Sequence, residues 1–390
     1  MTTPEPRPLS IGVAVGSFPP LWTSSATLYG ALVDWLQERG QECEVLTLRP
    51  SEVEFPKENR SWVRSIRIGR AGQVGMALRA ISEARRMDRD VFLVYSPLLP
   101  FAAAACIGAR LAGTPVVVNV QDLHPKVLKS MGFVKNPLLL GVLGLAERIV
   151  YQLGGHFIVY SESNRDHLTS NGVAPGDVSI IENWVVNNSQ QRRTVPYPHE
   201  DVVPRGSVQV LYAGAMGEAQ DLLHWAEVAE QLAAEDSDVH IVMYGDGTVR
   251  AELDDRANSN RNLHVFDPVD PSEYQQLLMS VDVGLISLSE TVSLETVPGK
   301  LANLLAARIP ILASVPDAGD LARYIDQHGV GIQVRSGDVA SSVSAARSLE
   351  DPAEVEKYRE AIDKCVVQPP SVEEAGAQIE LLLRRLARER

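Results

Sequence analysis

Within nine residues this chain places Glu295, Lys300 and Asn303 around the pair Pro298–Gly299. Those residue types suit a sugar joined to a phosphate. Proline and glycine after a loop start a helix, and the free backbone N–H groups there, aided by the helix dipole, attract an anion. The backbone from Val297 to Gly299 is therefore expected to cradle an anion, and Lys300 adds a point charge suited to phosphate. Glu295 precedes the loop, where a carboxylate can hold sugar hydroxyls. Asn303 lies one turn into the helix, on the same side as Gly299. The competing reading is an ordinary loop and helix with a solvated lysine and glutamate.

Such residues need elements to position them. Short apolar runs at Ile11–Val15, Cys43–Leu48, Val91–Tyr95, Pro115–Val120 and His156–Tyr160 read as strands, with helical patterns such as Ser25–Arg39 between them. The polar stretch Ser189–Ser207, with Pro196, Pro198 and Pro204, breaks the rhythm and reads as a linker. The rhythm then restarts at Val208–Ala213, His240–Tyr244, Leu263–Phe266, Val283–Ile286 and Ile311–Ala313. A helix is expected from about Ala219 to Ala234, and another over Ser371–Arg390. This predicts an α/β protein with two Rossmann-like doubly wound domains, residues 1–190 and 205–370, and a C-terminal helix over 371–390. Ligands on such sheets bind outside the carboxyl ends of the strands. A site in a cleft between the two domains is the expectation, and the motifs do fall just after strands.

Composition narrows the function. The chain has 390 residues, 45% hydrophobic and 22% charged, with a net charge of -14. That acidity argues against nucleic acid as a partner. Cys43, Cys106 and Cys365 are far apart and odd in number, which suggests neither a disulfide framework nor a zinc site. The polar N-terminus lacks the apolar core of a signal peptide, so a reducing cytoplasm is expected. The most apolar stretches, Leu98–Ile107 and Pro137–Leu145, are too short to span a bilayer and read as core helices. For Leu138–Val150 the alternative is peripheral contact with the inner face of a membrane. Asp236-Ser-Asp238 and Asp88-Arg-Asp90 look like metal-binding DxD patterns, but both precede strands and read as solvated surface. A P-loop, a GxSxG elbow and an HExxH helix are absent.

The Glu295–Asn303 segment, continuing to Ser314, resembles the retaining glycosyltransferases of family 4, which have the two-domain B-type fold. Their hallmark is Glu-x7-Glu followed by small-small-Gly-x-Pro-x-x-x-Ser. Glu295 stands at the first acid, and Asn303 departs from the second. The resemblance implies that this second position holds the nucleotide ribose hydroxyls. Asn can still hydrogen-bond them, without charge. Pro-Gly-Lys-Leu-x-Asn is similar to the branch that builds bacterial exopolysaccharide and lipid-linked glycans.

The resemblance extends along the chain. Ser17-Phe-Pro-Pro20 with Ser24 and Ser25 resembles the family's first-strand loop, serines replacing a glycine pair. Either serine is also readable as a helix cap. Gln121-Asp122-Leu-His124-Pro125 resembles the segment whose Asp contacts donor sugar or acceptor hydroxyl, with His124 in an aromatic residue's place. Glu162, after Tyr160-Ser161, is either a cleft residue or a charge at a helix start. Ile181-Glu182-Asn183-Trp184 resembles the end of the first domain. Tyr212-Ala-Gly214-Ala-Met-Gly217-Glu-Ala-Gln220 resembles the phosphate-facing loop, but lacks the Arg and Lys that many relatives carry there. Charge neutralisation then falls to Lys300 and backbone groups. Gly245-Asp246-Gly247 resembles the family's Gly-x-Gly after a strand. Phe266 opens the segment that contacts the base, with Asp267 in a glycine's place.

The implied activity is retaining transfer of a sugar from a nucleotide diphosphate sugar, UDP by the family's habit. The acceptor would be a hydroxyl of a glycan, a lipid-linked glycan or a small molecule. Asp122 and Glu295 are the implied catalytic residues, and neither metal nor cofactor is required. The donor belongs to the second domain and the acceptor to the first, with the C-terminal helix packing back on the first. Two rivals stand beside this: a nucleotide-sugar epimerase on the same fold, and a binding subunit without catalysis, suggested by Asn303 and the missing Arg and Lys.

Overall fold

A computed structural model of the protein describes residues 7–21, 23–50, 62–67, 72–121, 123, 136–186, 199, 202–204, 206–292, 298–317, 319–364 and 369–388. The chain divides into two units. The first is Met1–Val186 with Pro370–Arg390, and the second is Asn187–Pro369. Each is a parallel sheet with helices, so the fold is the doubly wound α/β pair that the alternating runs predict.

In the first unit the strands are β1 (Ser10–Val15), β2 (Glu42–Arg49), β3 (Val63–Arg67), β4 (Val91–Tyr95), β5 (Val116–Asn119), β6 (His156–Val159) and β7 (Val178–Ile180). Their order is β3-β2-β1-β4-β5-β6-β7, and every pairing is parallel. The helices are α1 (Ser24–Glu38), α2 (Gly72–Met87), α3 (Leu99–Leu111), α4 (Pro137–Leu153), α5 (Glu162–Ser170) and, from the C-terminus, α13 (Val372–Ala387). Successive side chains of a strand point to opposite faces. Ile11, Val13 and Val15 enter a core shared with α1 and α13, while Ala14 enters the one shared with α2, α3 and α4. Both faces are buried, so the strands read as continuous apolar runs.

Specific contacts hold α13 in this unit. Ser371 Oγ accepts the Glu374 N–H, and the Glu374 carboxylate accepts the Ser371 N–H. A Cβ on Gly376 would lie 2.7 Å from the Trp35 ring, so glycine permits the helices to meet there. The buried Glu380 carboxylate accepts from Arg39 at 2.9 Å, Arg384 at 2.9 Å and Gln41 at 3.3 Å.

In the second unit β8 (Val208–Ala213), β9 (Val239–Tyr244), β10 (Leu263–Phe266), β11 (Val283–Ser287), β12 (Ile311–Val315) and β13 (Gly331–Arg335) lie in the order β10-β9-β8-β11-β12-β13. The helices are α6 (Leu222–Ala234), α7 (Arg250–Ala257), α8 (Pro271–Ser280), α9 (Lys300–Ala306), α10 (Asp320–His328), α11 (Val339–Ser348) and α12 (Pro352–Lys364). The helix expected from about Ala219 begins at Leu222. A single tight turn, Glu218–Gln220, precedes it, and Asp221 at φ +46° separates the two.

Three strands, β3, β7 and β13, escape the sequence pattern, and all lie at sheet edges. Edge strands are short and carry charge, as in Val-Arg-Ser-Ile-Arg67, so their apolar signal is weak. A second correction concerns Pro137–Leu145. It is helical, but not a core helix: Leu138, Leu139, Val142 and Leu145 of α4 are exposed, while Leu143, Ala146 and Val150 are buried. Among the described residues no helix is long and apolar enough to cross a membrane.

At the amino ends of β9 and β10 the buried His240 Nδ1 and His264 Nε2 lie 2.9 Å apart with the rings stacked. Burial, then the neighbouring His240, lowers His264 to about 4, and burial also lowers His240. The unfolded chain titrates near 6.5, so it binds protons that the folded protein refuses. Stability is therefore full above about pH 6.5 and is lost as pH falls toward 4, by up to about tenfold in the folding constant per pH unit for each such group. His264→Gln is expected to flatten this loss, read as urea midpoints between pH 5 and pH 7. An unchanged slope would remove the pair from the account.

Candidate functional site

The second sheet reverses its winding between β8 and β11, and such switch points are where open α/β sheets bind ligands. Gly214 leaves β8 there. Its N–H donates to the Tyr244 carbonyl at 2.9 Å, Met216 N–H to the Asp246 carbonyl at 2.9 Å, and Gly245 N–H to the Phe266 carbonyl at 3.2 Å. The loops after β8, β9 and β10 are thus laced together beyond the strands. A Cβ on Gly245 would lie 1.9 Å from the Gly214 carbonyl oxygen, and one on Gly247 would lie 2.3 Å from that of Met216. Both glycines are needed for loop to approach loop. The Gly217 N–H donates to Gln220 Oε1 at 3.1 Å and the Gly247 N–H to Asp246 Oδ1 at 2.8 Å. Two amides expected to face a ligand therefore have protein partners. Asp246 itself is exposed.

Lys300 comes to this same point from the other side of the switch. Its Nζ lies 3.7 Å from the centroid of the buried Tyr212 ring and 3.3 Å from where a Cβ on Gly214 would stand. The Tyr212 hydroxyl donates to the Ala215 carbonyl, which fixes the ring. The lysine residue keeps some exposed surface, but its ammonium is enclosed, and that burial lowers it from 10.5 to about 7. The ring face favours the cation. Desolvation outweighs it. No carboxylate among the described residues pairs with this ammonium.

Gly299 caps α9 without a side-chain hydrogen bond, and the Leu301 N–H donates to the Pro298 carbonyl at 3.0 Å. Asn303 is half-buried one turn on. After α9 the chain turns through Arg308 at φ +58°, where the family hallmark has glycine. Phe266 ends β10 under the ring of His199, stacked at 4.1 Å, with Tyr244 at 5.0 Å on the same cluster. Sequence reasoning missed His199 and also Arg250. The Arg250 guanidinium donates to the Gly245 carbonyl at 2.7 Å, the Phe266 carbonyl at 2.9 Å and the Asp254 carboxylate at 2.8 Å, clamping the ends of β9 and β10. The only sequence signal was its spacing of four from Asp254.

In the first unit Thr23, not a serine, caps α1: its Oγ1 accepts the Ala26 N–H at 3.1 Å, and Ser25 Oγ lies 3.2 Å from it. Ser24 is exposed beside them. Beyond β4 and β5, Tyr95 donates to Gln121 Oε1 at 3.2 Å and Gln121 Nε2 donates to Asn183 Oδ1. Trp184 is buried and donates to the Leu28 carbonyl. This chain anchors the residue immediately before Asp122. Glu162 is an exposed first-turn charge of α5, paired with Arg165 at 2.5 Å. Asp122, His124, Glu295 and Val297 lie outside the described residues.

The laced loops make a specific stability claim. Gly245→Ala meets backbone rather than a movable side chain. It is expected to cost about 1–3 kcal/mol or more in urea unfolding, as overpacking does. Gly141→Ala in α4, where a Cβ meets nothing, is expected to gain about 0.5–1 kcal/mol. Equal effects at the two sites would show that the loop approach is not constrained.

Comparison with known proteins agrees with this arrangement. The profile of the "Glycosyl transferase 4-like domain" matches residues 26–184, and that of "Glycosyl transferases group 1" matches residues 207–351. WcaI of Escherichia coli (strain K12), named as a colanic acid biosynthesis glycosyl transferase, is 23% identical over 328 residues, covering 74% of this chain and 79% of WcaI. Among solved structures, Anabaena HepE in complex with UDP superposes with a TM-score of 0.70 at 13% identity, covering 97% of this chain and all of that one. A Listeria monocytogenes protein named as a UDP-N-acetylglucosamine 2-epimerase gives 0.69 at 11% identity, covering 98% of both chains. Two glycosyltransferase profiles that between them take in most of the chain, on two doubly wound sheets, show that this protein belongs to the family 4-like glycosyltransferases of the B-type fold.

Proposed function

We propose that the second unit holds a UDP-linked sugar and that the enzyme moves the sugar, with retention, to a hydroxyl of a polysaccharide or lipid-linked glycan. One observation carries the reading. The Lys300 ammonium is enclosed at the switch point beside Gly214, with no described carboxylate to pair with it. A diphosphate supplies the missing charge. The UDP of the HepE complex supports the choice of base, and the name of WcaI supports a polysaccharide product.

In the proposed reaction the bond between C1 of the sugar and the diphosphate oxygen breaks. The acceptor oxygen bonds to C1 on the same face, and its proton passes to the departing phosphate. Stabilising charge on the leaving diphosphate is the protein's main task. Lys300 and the backbone beside Gly299 would do this. Glu295 would orient the donor hydroxyls, Asn303 would hold the ribose, and Asp122 would position the sugar or the acceptor in the first unit. The reading requires no metal and assigns no general base. The 2-epimerase likeness in fold keeps one rival, which predicts an epimer from donor alone.

The lowered Lys300 gives the reading a pH signature. A diphosphate beside the ammonium favours its charged form, so above about pH 7 binding takes up a proton. Affinity should then fall as pH rises from 7 to 9, by up to about tenfold per unit. Lys300→Ala should weaken UDP by roughly 2 kcal/mol, about thirtyfold, and abolish this pH dependence. Calorimetric titration with UDP and GDP, in chelator, reads both effects. If neither nucleotide binds, or the variant titrates like the parent, the phosphate role of Lys300 is wrong.

A further inference from the structure

Two arginines at the carboxyl edge of the first sheet take no part in the transfer described above. Arg49 ends β2 and Arg67 ends β3, and the two strands pair in a register that sets these residues side by side. Successive side chains of a strand point to opposite faces. Leu48 and Ile66 enter the core shared with α2, α3 and α4, so Arg49 and Arg67 project together from the other face, the one that α1 covers. Phe18 of the first-strand loop packs on that same face, edge-on to Trp62 just before β3. Val15 pairs with Thr47, so the chain leaves β1 beside the end of β2. The arginines therefore stand next to the first-strand loop, at the edge where open α/β sheets bind ligands.

Their charge is the unusual feature. Like charges directly opposite each other on neighbouring strands repel, and a guanidinium does not shed its proton. At the amino end of the same two strands the fold supplies acids: Arg64 of β3 donates to Glu44 of β2 and, at 2.9 Å, to Glu83 of α2. At the carboxyl end no carboxylate among the described residues pairs with Arg49 or Arg67. Arg49 Nε is buried and has no acceptor, and such orphaned donors are rare in folded proteins. Arg67 is exposed. Helix α1 starts at this edge with no acid in its first turn, so its dipole adds to the positive potential. All of this occurs in a chain whose net charge is -14. Two guanidinium forks held side by side suit a phosphate, whose oxygens can accept from both. A carboxylate has only two oxygens, and one fork satisfies it.

We infer that Arg49 and Arg67 form a phosphate subsite at the carboxyl edge of the first unit. Its ligand is a phosphate or diphosphate group, either free or carried by the molecule that accepts the sugar. The subsite does not depend on the donor reading, because it uses neither Lys300 nor the laced loops of the second unit. It gives a role to two charges that otherwise only repel each other.

Calorimetric titration of the full chain tests it, in a Lys300→Ala background so that the proposed donor site contributes little. The probes are inorganic pyrophosphate and geranyl diphosphate, in chelator, each at low and high salt. The expected result is one saturable site, weakened by salt and weakened at least about tenfold when Arg49→Gln and Arg67→Gln are added. Arg67→Gln alone alters an exposed side chain and should give part of that loss. Removing one of two like charges should not lower the thermal unfolding midpoint, which separates lost binding from lost fold. Tighter binding of geranyl diphosphate than of pyrophosphate would assign the phosphate to an isoprenoid-linked acceptor, and equal affinities would assign it to a free anion. Either outcome supports the subsite. Absence of binding for both probes would overturn the inference, and so would binding that the two arginine substitutions leave intact. With Lys300 restored, the same arginine variant should titrate UDP like the parent, so failure of the subsite is distinguishable from failure of the donor reading.

Discussion

Parallel strands joined by crossover helices must be covered on both faces, and most of this molecule follows from that requirement. In the first unit it accounts for the continuous apolar runs. It also accounts for the reach of α13, which supplies Ile379, Leu382, Leu383 and Leu386 to the face of β1 and β4 that α1 covers. A face left to α1 alone would expose those strands. The ties at Gly376 and Glu380 are what a helix added from the far end of the chain needs to hold its register. The same requirement leaves the carboxyl ends of the strands as the natural place for irregular backbone, where buried N–H and C=O groups must find partners among neighbouring loops.

The second unit shows how that need shapes a site. Its loops after β8, β9 and β10 satisfy one another through amide–carbonyl pairs that only glycines at 245 and 247 allow. Arg250 adds a guanidinium clamp on the same carbonyls. The result is a rigid floor against which a single side chain, Lys300, is set. Rigidity matters because electrostatic stabilisation is most effective when the dipoles and charges need not reorganise.

Much of this was legible in the sequence. Strand runs such as Val91–Tyr95 are apolar at every position because both sides are buried. Lys300 was legible because Pro298 and Gly299 mark a helix start directly before it. The edge strands β3 and β13 were not, since solvent on one side admits Arg64, Arg67 and Arg335, whereas the more apolar edge strand β10 was. Nor was the stack of His199 on Phe266, which joins residues far apart in the chain. The exposed stripe of α4 was misread for a plain reason. A run of leucines gives the same sequence signal whether a second layer covers it or not, and only the packing of α3 on one side of α4, with Leu138, Leu139, Val142 and Leu145 left exposed, separates the two cases.

The state of Lys300 links stability to function. Removing an ammonium from water is costly, and burial here is sufficient to bring its titration to about 7. A fold selected for stability alone would have put an apolar side chain on Tyr212. The cost is understandable if an anion arrives to repay it, because the same low-dielectric surroundings that penalise the lone cation strengthen its attraction to a phosphate. The tyrosine ring suits the interval before that happens. It offers the ammonium a weakly attractive face, and no carboxylate among the described residues competes with an arriving diphosphate. Replacing Tyr212 by Phe would keep the face and lose only the tie to the Ala215 carbonyl, whereas replacing it by Glu would satisfy the lysine permanently. The physical logic of the site lies in a charge that no described carboxylate satisfies.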